Sequence, residues 1–109
     1  MSTQPVSTAG DVVRGVAPKL IDLSEKVLFG DVWERPALPK RDRSFITVAA
    51  LIAMYRTDQL PGHLERALNN GVTREETGEI ITHLAFYAGC PAAMTAGTIA
   101  RRIFDGRKP

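Results

Sequence analysis

The stretch 63-HLERALNNGVTREETGEIITHLAFYAGCPAAM-94 decides the fold. Leu64, Ala67 and Leu68 recur at helical spacing and give its first segment a core face. Gly71 stands where a left-handed C-terminal cap is needed. Thr73 then opens a second helix with Glu76 three residues on, the reciprocal capping box T-x-x-E. Glu75 and Glu76 also complement the positive end of that helix's dipole. Ile80, Ile81, Leu84 and Ala88 make its buried stripe, Gly89 stops it, and Pro91 begins a last helix. In that helix Ala92, Ala93, Ala96, Gly97 and Ala100 allow close approach of a neighbour. The grammar is that of an all-α domain of about five to six helices.

The rest of the chain agrees. Residues 1–10 are polar and rich in Ser, Thr, Gly and Pro, and read as a mobile arm ahead of one domain over 11–109. A helical pattern begins near Asp11 or Pro18 and runs to about Phe29, where Gly30 ends it. The segment 30-GDVWERPALPK-40 reads as an ordered loop anchored by Trp33. Pro39 suits the first turn of a helix continuing to about Tyr55. From Phe45 to Tyr55 that helix is apolar all round, more than a small domain can cover, so part of it is expected to face another subunit.

Composition narrows the function classes. A chain of 109 residues with 14 basic and 12 acidic side chains has no polycationic surface. Only 101-RRIFDGRK-108 is locally basic, which reads as a solvated helix end, and no nucleic-acid partner is expected. A single cysteine forms no internal disulfide, so a cytoplasmic setting is expected. The start MSTQPVSTAG has neither the basic nor the apolar part of a signal peptide. The longest apolar run, 45-FITVAALIAMY-55, falls short of the ~20 residues that span a bilayer, so no membrane partner is expected.

Few residues offer chemistry. Cys90 has no second thiol to resolve it, and His63 and His83 lie on different helices without the paired ligands of a metal site. With no phosphate-binding or nucleophile-elbow motif either, cofactor-free chemistry or none remains. His63 lies on the rim of its helix's apolar stripe, with Asn70 on the same side; such an imidazole suits proton transfer, or equally a structural hydrogen bond. His83 stands in the ladder Glu79, His83, Tyr87, four residues apart, where Glu79 orients the ring or the ladder simply faces solvent. Cys90, at a helix junction, is a tuned thiol or an inert one. Arg35, Arg41 and Arg43 flank the Trp33 loop and are candidates to clamp a carboxylate.

Taken together and in order, 29-FGDVWERPALPKRDRSFITVAAL-51, 63-HLERALNNGVTREE-76 and 87-YAGCPAAM-94 resemble the carboxymuconolactone decarboxylase family across roughly residues 18–104. The resemblance implies the alkylhydroperoxidase D-like helical fold, assembled as a homohexamer of three dimers. The peroxidase branch of that superfamily carries C-x-x-C-x-x-x-H. Its histidine matches His63, but its cysteines would fall at Arg56 and Gln59, so thiol peroxidase activity is not expected. The decarboxylase branch implies loss of carbon dioxide from gamma-carboxymuconolactone in aromatic-compound catabolism, the beta-ketoadipate route, with no cofactor and no metal. His63 is then the leading proton donor or oxyanion partner, with His83 as a second catalytic candidate. Arg35 or Arg43 binds the substrate carboxylate, and Trp33, Tyr87 and Cys90 contribute to the pocket. His83 and Met94 stand where the decarboxylase pattern often has Gln and Asn, so a related lactone or unsaturated acid is also a candidate substrate. The rival expectation is an oligomer that binds a small acid or a partner protein without catalysis.

Overall fold

Proline and glycine punctuate this chain, and most helix boundaries follow from them. A computed structural model describes residues 9–107. The expected arm lies outside the described residues over 1–8, while Ala9 and Gly10 open the first helix. The described residues are all-helical and fall into two compact units that divide between Ala37 and Leu38.

In the first unit, α1 (Ala9–Arg14) and α2 (Pro18–Leu23) are separated rather than continuous. Pro18 disfavours helical geometry in the residue before it, and Ala17 accordingly sits at φ −134° and ψ 71°. After α2 the chain widens into a π turn over Ser24–Leu28, closed by Phe29 N–H donating to Ser24 O at 2.9 Å. Gly30 ends it for a steric reason: a Cβ there would stand 2.7 Å from the Lys26 carbonyl oxygen. The loop that follows carries a 3-10 turn over Val32–Glu34. Trp33 is 6% exposed, and its ring stacks on Phe29 at 5.9 Å between centroids.

The second unit holds α3 (Lys40–Ala53), α4 (Leu60–Asn69), α5 (Arg74–Ala88) and α6 (Cys90–Gly106). Helix α3 packs on α4, α5 and α6, and α6 also packs on α4 and α5. Val48, Ile52, Leu60, Leu64, Ala96 and Ile99 lie at the centre of the core. The small residues expected to allow close approach do so at Ala93, Ala96 and Ala100, all buried. Arg41 of α3 pairs with Glu76 of α5 and lies over the Phe45 ring, while Arg107 Nη1 reaches Glu65 Oε1 at 2.5 Å.

Both α3 and α4 end in the same left-handed motif. At α4, Val72 N–H donates to Ala67 O at 2.9 Å and Gly71 N–H to Leu68 O at 3.1 Å, with Gly71 at φ +101°. At α3, Arg56 N–H donates to Leu51 O at 2.8 Å and Tyr55 N–H to Ile52 O at 3.1 Å. Tyr55 takes the left-handed position at φ 57°, so α3 stops two residues short of the end expected from its apolar run. Pro39 is the N-cap of α3 rather than part of its first turn. The capping box is as the sequence spells it. Glu76 N–H donates to Thr73 Oγ1 at 3.0 Å, and Thr73 N–H to Glu76 Oε1 at 2.9 Å.

Candidate active site

His63 is half-buried on α4. Burial disfavours its charged form and the nearby Arg66 guanidinium repels a second positive charge, so its pKa lies below the ordinary 6.5. The imidazole is therefore neutral at neutral pH, able to donate from one ring nitrogen and accept at the other. At the C-cap of the same helix, Asn70 Nδ2 donates to Ser44 Oγ of α3 at 3.0 Å.

His83 occupies a different position. It is exposed and lines a cavity of about 390 Å³ with Glu79, Ile80 and Leu84 of α5 and Phe45 and Ala49 of α3. No hydrogen bond or ion pair joins Glu79 to His83 among the described residues. The ladder is instead held by stacking of His83 on Tyr87, 4.9 Å between centroids, with Tyr87 78% exposed. Cys90 is exposed and lies in a larger groove of about 690 Å³ between α5 and α6, beside Phe86, Met94 and Arg101. The single chain thus gathers His83 with Tyr87, but the cavity of His83 includes neither His63 nor Cys90.

The arginines have local partners. Arg43 Nε donates to Leu38 O at 3.0 Å, which ties the start of α3 to the residues before it. Arg41 is engaged by Glu76 and Phe45. In the first unit, Arg35 is exposed and lines a cavity of about 480 Å³ with Asp31, Glu34 and Pro36.

A further cavity of about 410 Å³ joins the α3–α4 turn to α6 and was not foreseen from the sequence. Its α6 residues Thr95, Thr98 and Arg102 follow i, i+3 and i+7 spacing, a signal obscured because that helix reads foremost as a small-residue packing face. Among the described residues no group of three His, Cys, Asp or Glu side chains is placed to hold a metal ion. No helix of the described residues is long and apolar enough to cross a membrane.

Comparison with known proteins gives this geometry a lineage. The chain is 46% identical over 76 residues to a 4-carboxymuconolactone decarboxylase of Acinetobacter baylyi, covering 70% of this chain and 57% of that protein. It is 35% identical over 77 residues to a nitrosuccinic acid decarboxylase of Metarhizium robertsii, covering 71% of this chain and 54% of that protein. The chain spans about half the length of the curated relatives it matches. A family model described as the carboxymuconolactone decarboxylase family matches residues 18–102, from the first residue of α2 into the last turns of α6. On that coverage, the chain belongs to the carboxymuconolactone decarboxylase family.

Proposed function

We propose that this protein is a cofactor-independent carboxy-lyase acting on 4-carboxymuconolactone or a related unsaturated lactone acid, with His63 as its central catalytic group. The observation that carries the reading is a half-buried imidazole kept neutral by its surroundings. The names of the two relatives support it through shared chemistry. Each names an acid whose lost carboxylate leaves electrons that drain into oxygen, of a conjugated lactone in one case and of a nitro group in the other.

In the proposed reaction the bond to the departing carboxylate breaks, its electron pair passes through the conjugated ring to the lactone carbonyl, and carbon dioxide leaves. A proton then returns to the ring carbon. A neutral imidazole serves this step as a hydrogen-bond donor to the developing oxyanion, because a donor already in place costs no reorganisation when charge appears. The same ring can relay the returning proton. Arg43 is the candidate for holding a substrate carboxylate, and Tyr87, His83 and Cys90 for shaping the surroundings. In the first unit, Arg35 and Trp33 are the candidates for substrate contact.

The proposal includes self-association, as a hexamer built from three dimers, in the cytoplasm. Phe86 is 84% exposed and Met94 68%, and both border the α5–α6 groove, while Ile46 leaves part of α3 uncovered. Apolar groups grouped in this way favour burial against another copy. The test is carbon dioxide release from a panel of unsaturated lactone acids. Turnover by the wild type and its loss in His63→Ala, with the assembly intact by ultracentrifugation, is the expected result. Undiminished turnover in that variant removes the role of His63, and inactivity of the wild type across the panel removes the lyase reading.

A further inference from the structure

Arg101 and Arg102 are neighbours with different surroundings. Arg101 Nε donates to Asp105 Oδ2 at 3.0 Å, one turn along α6. Arg102 forms no hydrogen bond or ion pair with any described residue. It lines the cavity of about 410 Å³ between the α3–α4 turn and α6, and Asp58, on the opposite wall, is likewise unpaired. The two opposite charges thus share one hollow without meeting.

The walls between them are built for a ligand with both polar and apolar parts. Tyr55 reaches the cavity from a left-handed backbone at φ 57°, and its hydroxyl lies 3.2 Å from Thr95 Oγ1. A non-glycine residue in that conformation is strained, and such strain persists where the surroundings hold it in place. Ile99, buried in the core, also borders the hollow and adds apolar surface. Thr98 Oγ1 donates to Met94 O at 3.0 Å, so this hydroxyl on the cavity lining has its proton engaged and remains an acceptor.

The chemistry of these groups selects a ligand class. The guanidinium of Arg102 matches a carboxylate through two parallel N–H donors. An ionised Asp58 accepts hydrogen bonds only, so its complement is a donor such as a hydroxyl. A second carboxylate placed against it would be repelled. We propose that this cavity is a binding site for a small hydroxy-monocarboxylate, held by Arg102 through its carboxylate and by Asp58 through its hydroxyl, against the Tyr55 and Ile99 surfaces. The site is separate from the decarboxylase proposal, since none of its residues takes part in that chemistry.

The experiment titrates the full chain with mandelate and with phenylacetate, which differ by one hydroxyl, following backbone amide shifts by NMR and affinity by calorimetry. Mandelate is expected to shift the amides of Asp58, Thr95, Thr98 and Arg102 and to bind at least tenfold more tightly than phenylacetate. Arg102→Gln should weaken mandelate at least tenfold, while Arg101→Gln leaves it unchanged. Asp58→Ala should abolish the preference between the two acids. Absence of saturable binding, equal affinity for both acids, shifts confined to other residues, or full affinity in Arg102→Gln would each overturn the assignment.

Discussion

Asn70, the C-cap of α4, donates its side-chain amide to the hydroxyl of Ser44 of α3 at 3.0 Å, and Ser44 is only 1% exposed. This polar link joins the C-terminal end of α4 to the first turns of α3. Removing one partner leaves the other buried without its bond, at a cost of about 1–3 kcal/mol. Asn70→Ala is therefore expected to lower stability by that amount in urea unfolding. The double variant Ser44→Ala/Asn70→Ala should lose less than the sum of the single changes, because no orphaned group is left.

The state of His63 predicts two pH effects of known sign. Its folded pKa lies below 6.5, so between 6.5 and that lower value the unfolded chain takes up a proton that the folded chain does not. Stability should fall as pH drops through this window, and His63→Gln should remove that part of the dependence in unfolding titrations. Turnover, if it uses the neutral ring, should show an acid limb with an apparent pKa below 6.5. Residual turnover in the same variant should lack that limb.

The capping box at α5 predicts a separate dependence at lower pH. Backbone hydrogen bonding from Thr73 and then the Arg41 contact hold Glu76 below its ordinary value of 4.5. The stabilisation is fully present above the ordinary value and disappears as pH falls through the lowered one. Glu76→Gln keeps an oxygen for the Thr73 N–H and should flatten this acid dependence. Thr73→Ala removes the other half of the box and should cost about 1 kcal/mol in thermal or urea unfolding at neutral pH.

Two glycines should respond to alanine with opposite signs. Gly71 has φ +101° and only an ordinary 3.8 Å contact awaiting a Cβ, so the penalty of Gly71→Ala comes from the backbone and amounts to about 1–2 kcal/mol. Gly78, inside α5, has open space where its Cβ would be. Gly78→Ala should stabilise by about 0.5–1 kcal/mol through helix propensity. Urea midpoints of the two variants check both values.

If the α5–α6 surface joins copies, a charge in its middle should break them apart. Phe86→Glu is expected to convert an oligomer to monomers by analytical ultracentrifugation at micromolar concentration, with helix content by circular dichroism retained. A wild type that sediments as a monomer under the same conditions would remove the proposed assembly.

Helix class, the turn at Gly71 and the Thr73–Glu76 box were legible in the sequence because each depends on residues within four or five positions of one another. The backbone preference of glycine and the reach of a capping side chain are local matters, and the structure places both as their spacing indicates. The half-buried state of His63 was legible for the same reason, from its position at the edge of an apolar stripe. Tertiary structure alone decided the rest. The left-handed Tyr55 lies at the end of a run that looks helical through that residue. Arg41 was equivalent to Arg43 until α5 brought Glu76 to it, and Asp58 came to share a cavity with Arg102 only because the α3–α4 turn packs beside α6. These outcomes depend on which charges and surfaces meet across tens of residues, and helical periodicity carries no information about that.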